Sequence, residues 1–228
     1  MALLVNLGNI NKWYGNNKVL TNINLIINNG DKIAILGANG QGKTTLIELI
    51  SQIQTPTKGT INYNFNSKNI KAEIGIQLQE NNWPANLTIK HILNFYKSVY
   101  PNITQIKINE LLTTLQLNNI YHKKLQLFSP GQKQRFNLLL ALVHSPQLLI
   151  LDELTSGLDL PLQKIIINHI SNLSPEQTLL LVSHNLTEIE MLCNRIIVLK
   201  DSSIVYDNTL KTTLIKYENL NEFISKVL

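Results

Sequence analysis

The chain has 228 residues, 44% hydrophobic and 15% charged, which suits a buried core and excludes a disordered or low-complexity polymer. Its single cysteine, Cys193, excludes an intrachain disulfide framework and fits a reducing compartment. The net charge is +5, yet Arg135 and Arg195 are the only arginines and Lys123–Lys124 the only adjacent basic pair, so the basic balance reads as a dispersed solvated surface and no nucleic-acid partner is expected.

No apolar run approaches the roughly 18–20 residues of a membrane helix. The N-terminus has no basic stretch leading into an apolar one, so no signal peptide is read and a cytosolic protein is expected. Short strand-like segments open the chain at Val5–Leu7, Asn22–Ile27 and Lys32–Leu36. A glycine-rich loop, Gly37–Thr45, feeds a helical pattern at Leu46, Ile47, Leu49 and Ile50. Gln54–Gly59 reads as a turn, and Thr60–Tyr63 and Glu73–Leu78 as further strands. Three helical patterns follow: Thr88–Tyr100 with Thr88 as its cap, Ile103–Leu117, and Ser129–His144 with Pro130 at its first helical position. Gln147–Leu151 and Thr178–Val182 are continuous apolar runs, as in strands buried on both faces. Ile196–Leu199 and Ser203–Tyr206 predict a hairpin around Asp201–Ser202, and Thr209–Leu228 one or two short helices. The alternation predicts an α/β domain, with residues 80–144 as a helical insertion in a core of 1–79 and 145–228.

Gly37-Ala38-Asn39-Gly40-Gln41-Gly42-Lys43-Thr44-Thr45 fits the pattern G-x-x-x-x-G-K-[ST], after a strand and before a helix. Phosphates can be ringed by backbone N–H groups and a helix N-terminus where no side chain blocks approach, which is the use of Gly37, Gly40 and Gly42. Lys43 supplies a cation to the phosphates and Thr44 a hydroxyl to Mg²⁺. Leu148–Leu151 is an apolar strand ending in Asp152-Glu153. Strand C-termini are where open α/β sheets place ligands. Asp152 is placed to hold Mg²⁺, and Glu153 to polarise water.

With these motifs and those that follow, the chain resembles the ATP-binding-cassette (ABC) ATPases over nearly its whole length. The resemblance rests on Tyr14 in Trp13-Tyr14-Gly15, the P-loop with Asn39 and Thr45, and Gln79 in Gln77-Leu78-Gln79, with Gln77 as the alternative. It rests further on Phe128-Ser129-Pro130-Gly131-Gln132, on Asp152-Glu153-Leu154-Thr155-Ser156-Gly157-Leu158-Asp159, and on His184 in Val182-Ser183-His184. It implies a P-loop core with an N-terminal antiparallel β subdomain and an inserted α-helical subdomain. It implies ATP and Mg²⁺ as cofactors and ATP hydrolysis as the activity. Tyr14 would stack on adenine. Asn39, Thr45 and Asp159 would join the nucleotide contacts. Thr44, Gln79 and Asp152 would serve the metal, and Glu153, His184, Gln79 and Lys43 the chemistry. Ser129, Gly131 and Gln132 form the signature segment, which in the family completes a partner's site.

The chain departs from the family at Pro130, where glycine is usual, and at Leu154, where proline is usual. Pro130 lacks an N–H, but at the first helical position that N–H has no intrahelical partner. The resemblance implies a nucleotide-binding subunit of an ABC transporter, leaning towards export. It would pair with a second such subunit, as a homodimer or alternatively a heterodimer, and dock on a separate polytopic membrane subunit at the inner face of the cell membrane. That docking is expected near Glu80–Leu87, with Trp83 as an exposed anchor or, alternatively, a packed indole. The other class is a soluble ABC ATPase acting on DNA or ribosomes. Against it stand the single cassette and the 50 positions (129 − 79) between Gln79 and Ser129, too few for a long coiled coil.

Overall fold

Two long strands, β1 (Leu3–Tyr14) and β2 (Asn17–Asn28), form an antiparallel hairpin that turns at Gly15. Both outrun the short segments expected from apolar alternation. The pairing shifts register around Asn9 and Asn22, two residues at positive φ. Such irregularities break the period of two, and asparagine tolerates that backbone. The structure, a computed structural model, describes residues 2–65, 67, 69–78, 83–84 and 86–227.

β3 (Lys32–Leu36) leads into α1 (Lys43–Ile50), followed by β4 (Lys58–Tyr63) and β5 (Ile74–Gln77). Three helices come next: α2 (Ile89–Val99), α3 (Gln105–Thr114) and α4 (Pro130–Leu142). The chain then returns through β6 (Leu148–Asp152), α5 (Leu160–Ser171), β7 (Thr178–Val182), α6 (Leu186–Leu192), β8 (Arg195–Lys200) and β9 (Ser203–Thr209). It finishes with α7 (Leu210–Lys216) and α8 (Leu220–Val227). Asp201 and Ser202 both have positive φ, the backbone of a two-residue hairpin turn, so that hairpin lies where expected. α5 and α6 are helices that the sequence reading passed over.

Strands β2-β1-β4 make one antiparallel sheet, and β5-β6-β7-β3-β8-β9 a second sheet, parallel except for β9. Side chains alternate across the second sheet, as the strand period of two requires. Ile33, Ile35, Leu148, Ile150, Leu180 and Val182 face α1 and the first sheet. Ala34, Leu36, Leu149, Leu151, Leu179 and Leu181 face the helices between β5 and β6 together with α5, α6 and α8. Burial on both faces explains why β6 and β7 read as continuous apolar runs. The parallel order places the C-terminal ends of β6, β7 and β3 side by side, so the segments after these strands meet at one edge of the molecule.

Trp83 is a packed indole. It donates from Nε1 to Asn137 Oδ1 at 2.9 Å and lies edge-on to Phe136, with ring centroids 5.4 Å apart. The exposed-anchor reading is therefore corrected: an indole with a buried amide partner 54 residues away stays with its own core. No helix among the described residues is long and apolar enough to cross a membrane.

Candidate active site

The loop after β3 is shaped by what its glycines exclude. Gly42, the N-cap of α1, has φ 92°. A Cβ there would sit 2.9 Å from Leu20 Cδ2 and 3.0 Å from the Val19 carbonyl oxygen. Gly37 is tighter still, since a Cβ would lie 2.5 Å from the Leu199 carbonyl oxygen. No side chain caps α1 and its first turn holds no acidic residue. By contrast, N-cap side chains close the first turns of α2 through α7. The first-turn N–H groups of α1 are thus presented to an anion, where the helix dipole also favours one.

Lys43 Nζ donates to the carbonyls of Gly37 at 2.7 Å and Ala38 at 3.0 Å, folding its ammonium back over the loop. Burial holds its pKa below the usual lysine range, with Asp152 and Glu153 opposing that shift. Asp152 ends β6 almost fully buried. Burial, and then Glu153, raise its pKa, while Thr44 and Lys43 pull it back. Thr44 Oγ1 and Asp152 Oδ2 are 3.5 Å apart. A hydroxyl and a carboxylate are the hard oxygen donors that suit Mg²⁺, which binds through one or two carboxylates plus substrate phosphates. Among the described residues no cluster of His, Cys, Asp and Glu forms a metal cage of its own.

Glu153 takes φ 54°, a conformation uncommon for a non-glycine residue and concentrated at functional sites. Backbone and side-chain contacts hold it there. Its N–H donates to Val182 O at 2.8 Å, extending the β6–β7 pairing by one residue, and its carbonyl accepts from Gln134 Nε2 on α4 at 2.6 Å. Gln134 was not anticipated from sequence. A fastened carbonyl supplies part of the stiffness that proline at position 154 would have given.

These pieces enclose a cleft of about 360 Å³. It is lined by Asn39, Gly40, Gly42, Lys43, Thr44, Thr45, Asp152, Glu153 and His184, with Val19 and Val182 as its apolar wall. All nine polar and glycine positions were singled out from sequence. Val19 was not, because only the β1–β2 hairpin carries it there.

The remaining candidates lie elsewhere. Tyr14 stands at the tip of β1, 45% exposed and outside the cleft lining. Its hydroxyl donates to Gln54 Oε1 at 2.6 Å, and Lys12 Nζ sits 5.0 Å from its ring centroid. Ser129 caps α4 in a reciprocal box with Gln132, with Pro130 in the first turn. Gln132 Oε1 also accepts from Lys123 Nζ at 3.3 Å. Gly131 abuts Gly157 and Leu158. Neither Ser129, Gly131 nor Gln132 lines the cleft. Asp159 caps α5, accepting from Leu162 N at 3.0 Å. Gln79 lies outside the described residues, as do 80–82 and 85 of the expected docking segment.

Comparison with known proteins adds the following. A family model described as "ABC transporter" matches residues 20–156. The nickel import system ATP-binding protein NikE of Staphylococcus aureus (strain MRSA252) is 35% identical over 208 residues, 87% of this chain and 88% of that protein. ABC transporter G family member 20 of Dictyostelium discoideum is 32% identical over 227 residues, 95% of this chain, which spans 31% of that protein's length. A solved structure of the ATP-binding cassette MJ0796, a dimer in a post-hydrolysis state bound to ADP and Pi, superposes with a TM-score of 0.78 at 24% identity. That match covers 91% of this chain and 99% of the other.

Proposed function

The chain belongs to the ABC transporter family of ATPases, and we propose that it is the cytoplasmic nucleotide-binding subunit that powers a separate polytopic membrane subunit by ATP-driven closure of a dimer. The observation that carries this reading is the division between its two halves of a site. The phosphate cleft at the ends of β3, β6 and β7 holds a cation, a base candidate and a metal-ligand pair. The signature segment sits at the head of α4, outside that cleft. A second copy placed head-to-tail brings its signature to the first copy's cleft and receives the same in return, a self-complementary two-fold arrangement.

In such a site the N–H groups of the loop and of α1 hold the phosphates in place. Lys43 exchanges its two carbonyl partners for phosphate oxygens. Thr44 and Asp152 would hold Mg²⁺, which when bound neutralises phosphate charge. Glu153 accepts a proton from the attacking water, and His184 donates to the γ-phosphate. Tyr14 stacks on adenine. Positioning and charge stabilisation carry this class of chemistry.

The membrane subunit would dock where the core meets the helices. A groove of about 310 Å³ opens there, lined by Ile53, Lys71, Tyr96, Tyr100 and His144 among others. Direction and cargo belong to that subunit. Export is expected from resemblance, whereas NikE carries import in its name, and the cleft described above serves either.

The test is the mass of the Glu153→Gln chain in solution, read by light scattering with and without ATP and Mg²⁺. The mass doubles with ATP and falls back when nucleotide is removed. A chain that binds ATP and stays monomeric overturns the closing dimer.

A further inference from the structure

The groups assigned to the attacking water and to the γ-phosphate, Glu153 and His184, stand on two different loops. One follows β6 and the other follows β7. The strands are neighbours, but beyond their ends a single backbone bond, Glu153 N to Val182 O, continues the pairing. Past that point the sheet no longer sets one loop against the other.

A side chain from α6 takes over. Glu188 is 2% exposed, although it carries a carboxylate. One of its oxygens accepts from Thr155 Oγ1, and the other accepts from Ser183 Oγ at 2.6 Å. Thr155 is two residues beyond Glu153 and also 2% exposed, and Ser183 directly precedes His184 and is 4% exposed. Ser183 Oγ in turn accepts from Asn185 N at 2.9 Å, fixing the far side of His184. A carboxylate can only accept, so both hydroxyls must turn their protons towards it. Leucine would fill the same volume with a smaller desolvation penalty. The acid is therefore not explained by packing. Glu188 does not line the phosphate cleft. It lines an adjoining hollow of about 260 Å³, which shares Glu153 and His184 with the cleft and is also lined by Thr155 and Ser183.

We propose that Glu188 is a positioning residue: its buried carboxylate ties the loop of Glu153 to the loop of His184, so that the two catalytic groups keep a fixed spacing. This rests on the reading of Glu153 and His184 given above. The tie acts on the chemical step and leaves nucleotide binding by the P-loop untouched, since no residue of the tie belongs to that loop.

The experiment compares full-length Thr155→Val, Glu188→Ala and Glu188→Gln with the parent, alongside Glu153→Gln and His184→Ala. Hydrolysis at saturating ATP and the ATP dissociation constant are measured for each. Thr155→Val and Glu188→Ala are expected to lower kcat about tenfold while the dissociation constant stays within about twofold. Glu188→Gln is expected to recover kcat to within about threefold of the parent, because its amide keeps the shape and one hydroxyl can turn to accept. A residue that merely filled space would also tolerate Glu188→Gln, but it would leave Thr155→Val at the parent's kcat or move kcat and binding together. If Glu188→Ala fails to fold, Thr155→Val decides, since it removes one hydroxyl and keeps the volume. Parent-like kcat in Thr155→Val, with Glu153→Gln and His184→Ala inactive, overturns the tie alone. Parent-like kcat in those two variants overturns the site and the tie with it.

Discussion

The cleft and the signature segment each present a helix N-terminus, and the two are finished in opposite ways. At α1 the first turn has no capping side chain, and Lys43 donates to the carbonyls of Gly37 and Ala38. At α4 the first turn is closed by Ser129 and Gln132 bonding each other's backbone. Lys123 adds a third contact to Gln132. The first arrangement leaves donors for a ligand inside one chain. The second is self-satisfied until something competes for it. In the proposed dimer, nucleotide would bind to one copy's cleft, and reaction would require a second copy's α4 to give up its own contacts.

The largest break in this comparison is Glu153→Gln. The amide keeps size and hydrogen bonding but accepts no proton, so hydrolysis is expected to fall by about 10²- to 10⁴-fold with ATP binding retained. Steady-state phosphate release against a binding titration checks it. Losses of equal size in both would mean that Glu153 shapes the loop and does not serve the water.

Gly131→Asp breaks the other half. A Cβ at Gly131 would lie 3.3 Å from both the Gly157 carbonyl oxygen and Leu158 Cδ2, and the carboxylate would face incoming phosphate. Hydrolysis is expected to drop about 10²-fold, the scale of losing one oriented donor. The ATP affinity of the monomer should change little, because the cleft does not include Gly131. Weakened monomer binding would place the signature in its own chain's site.

The cleft was legible in sequence because its parts are local. Glycines that exclude Cβ atoms, a lysine at a helix start and a doubly buried strand ending in two acids each occupy a few adjacent residues. What sequence hid was long-range or too short to show a period. Trp83 and Asn137 meet from 54 positions apart. Gln134 reaches the Glu153 carbonyl from 19 positions away. α6 has seven residues, too few for a periodic face. α5 has the right buried spacing at Leu162, Ile166, Ile167 and Ile170, but the β-branched run Ile165–Ile167 obscures it. Its cap, Asp159, matches a nucleotide-contact position of the family, which hides its role at the helix start.

Tyr14→Ala tests the proposed adenine contact outside the cleft lining. The hydroxyl is held by Gln54, and Lys12 Nζ lies 5.0 Å from the ring centroid; the proposed adenine contact would use the ring face away from Lys12. Base–aromatic stacking is worth about 1–3 kcal/mol, so the ATP dissociation constant should rise by about five- to a hundredfold. Trp13 is half-buried, with Lys58 Nζ 5.3 Å from its ring centroid, and Trp13→Ala should cost stability and leave affinity alone. Titration with a fluorescent ATP analogue compares the two. Reversed effects would hand the adenine to Trp13.

Pro130→Gly gives the smallest expected change and bears most directly on the self-satisfied α4. Proline has no N–H to offer phosphate, so an impaired signature would show as a large gain on restoring glycine. The cap argues otherwise. Ser129 accepts from Gln132 N at 3.3 Å, Gln132 Oε1 accepts from Ser129 N at 3.2 Å, and Pro130 begins the helix between them. At that position the missing donor would have had no partner within the helix, and the fixed φ of proline suits the first turn. Ser129 and Gly131 keep their own N–H groups on either side. Hydrolysis is therefore expected to change only a few-fold, while added freedom in the unfolded chain destabilises the protein by about 0.4–1 kcal/mol. Thermal melts and steady-state ATPase of the same preparation measure both. A gain of tenfold or more in hydrolysis would mean that the N–H at position 130 belongs to the phosphate contacts, and that the natural signature works below the capacity its cap allows.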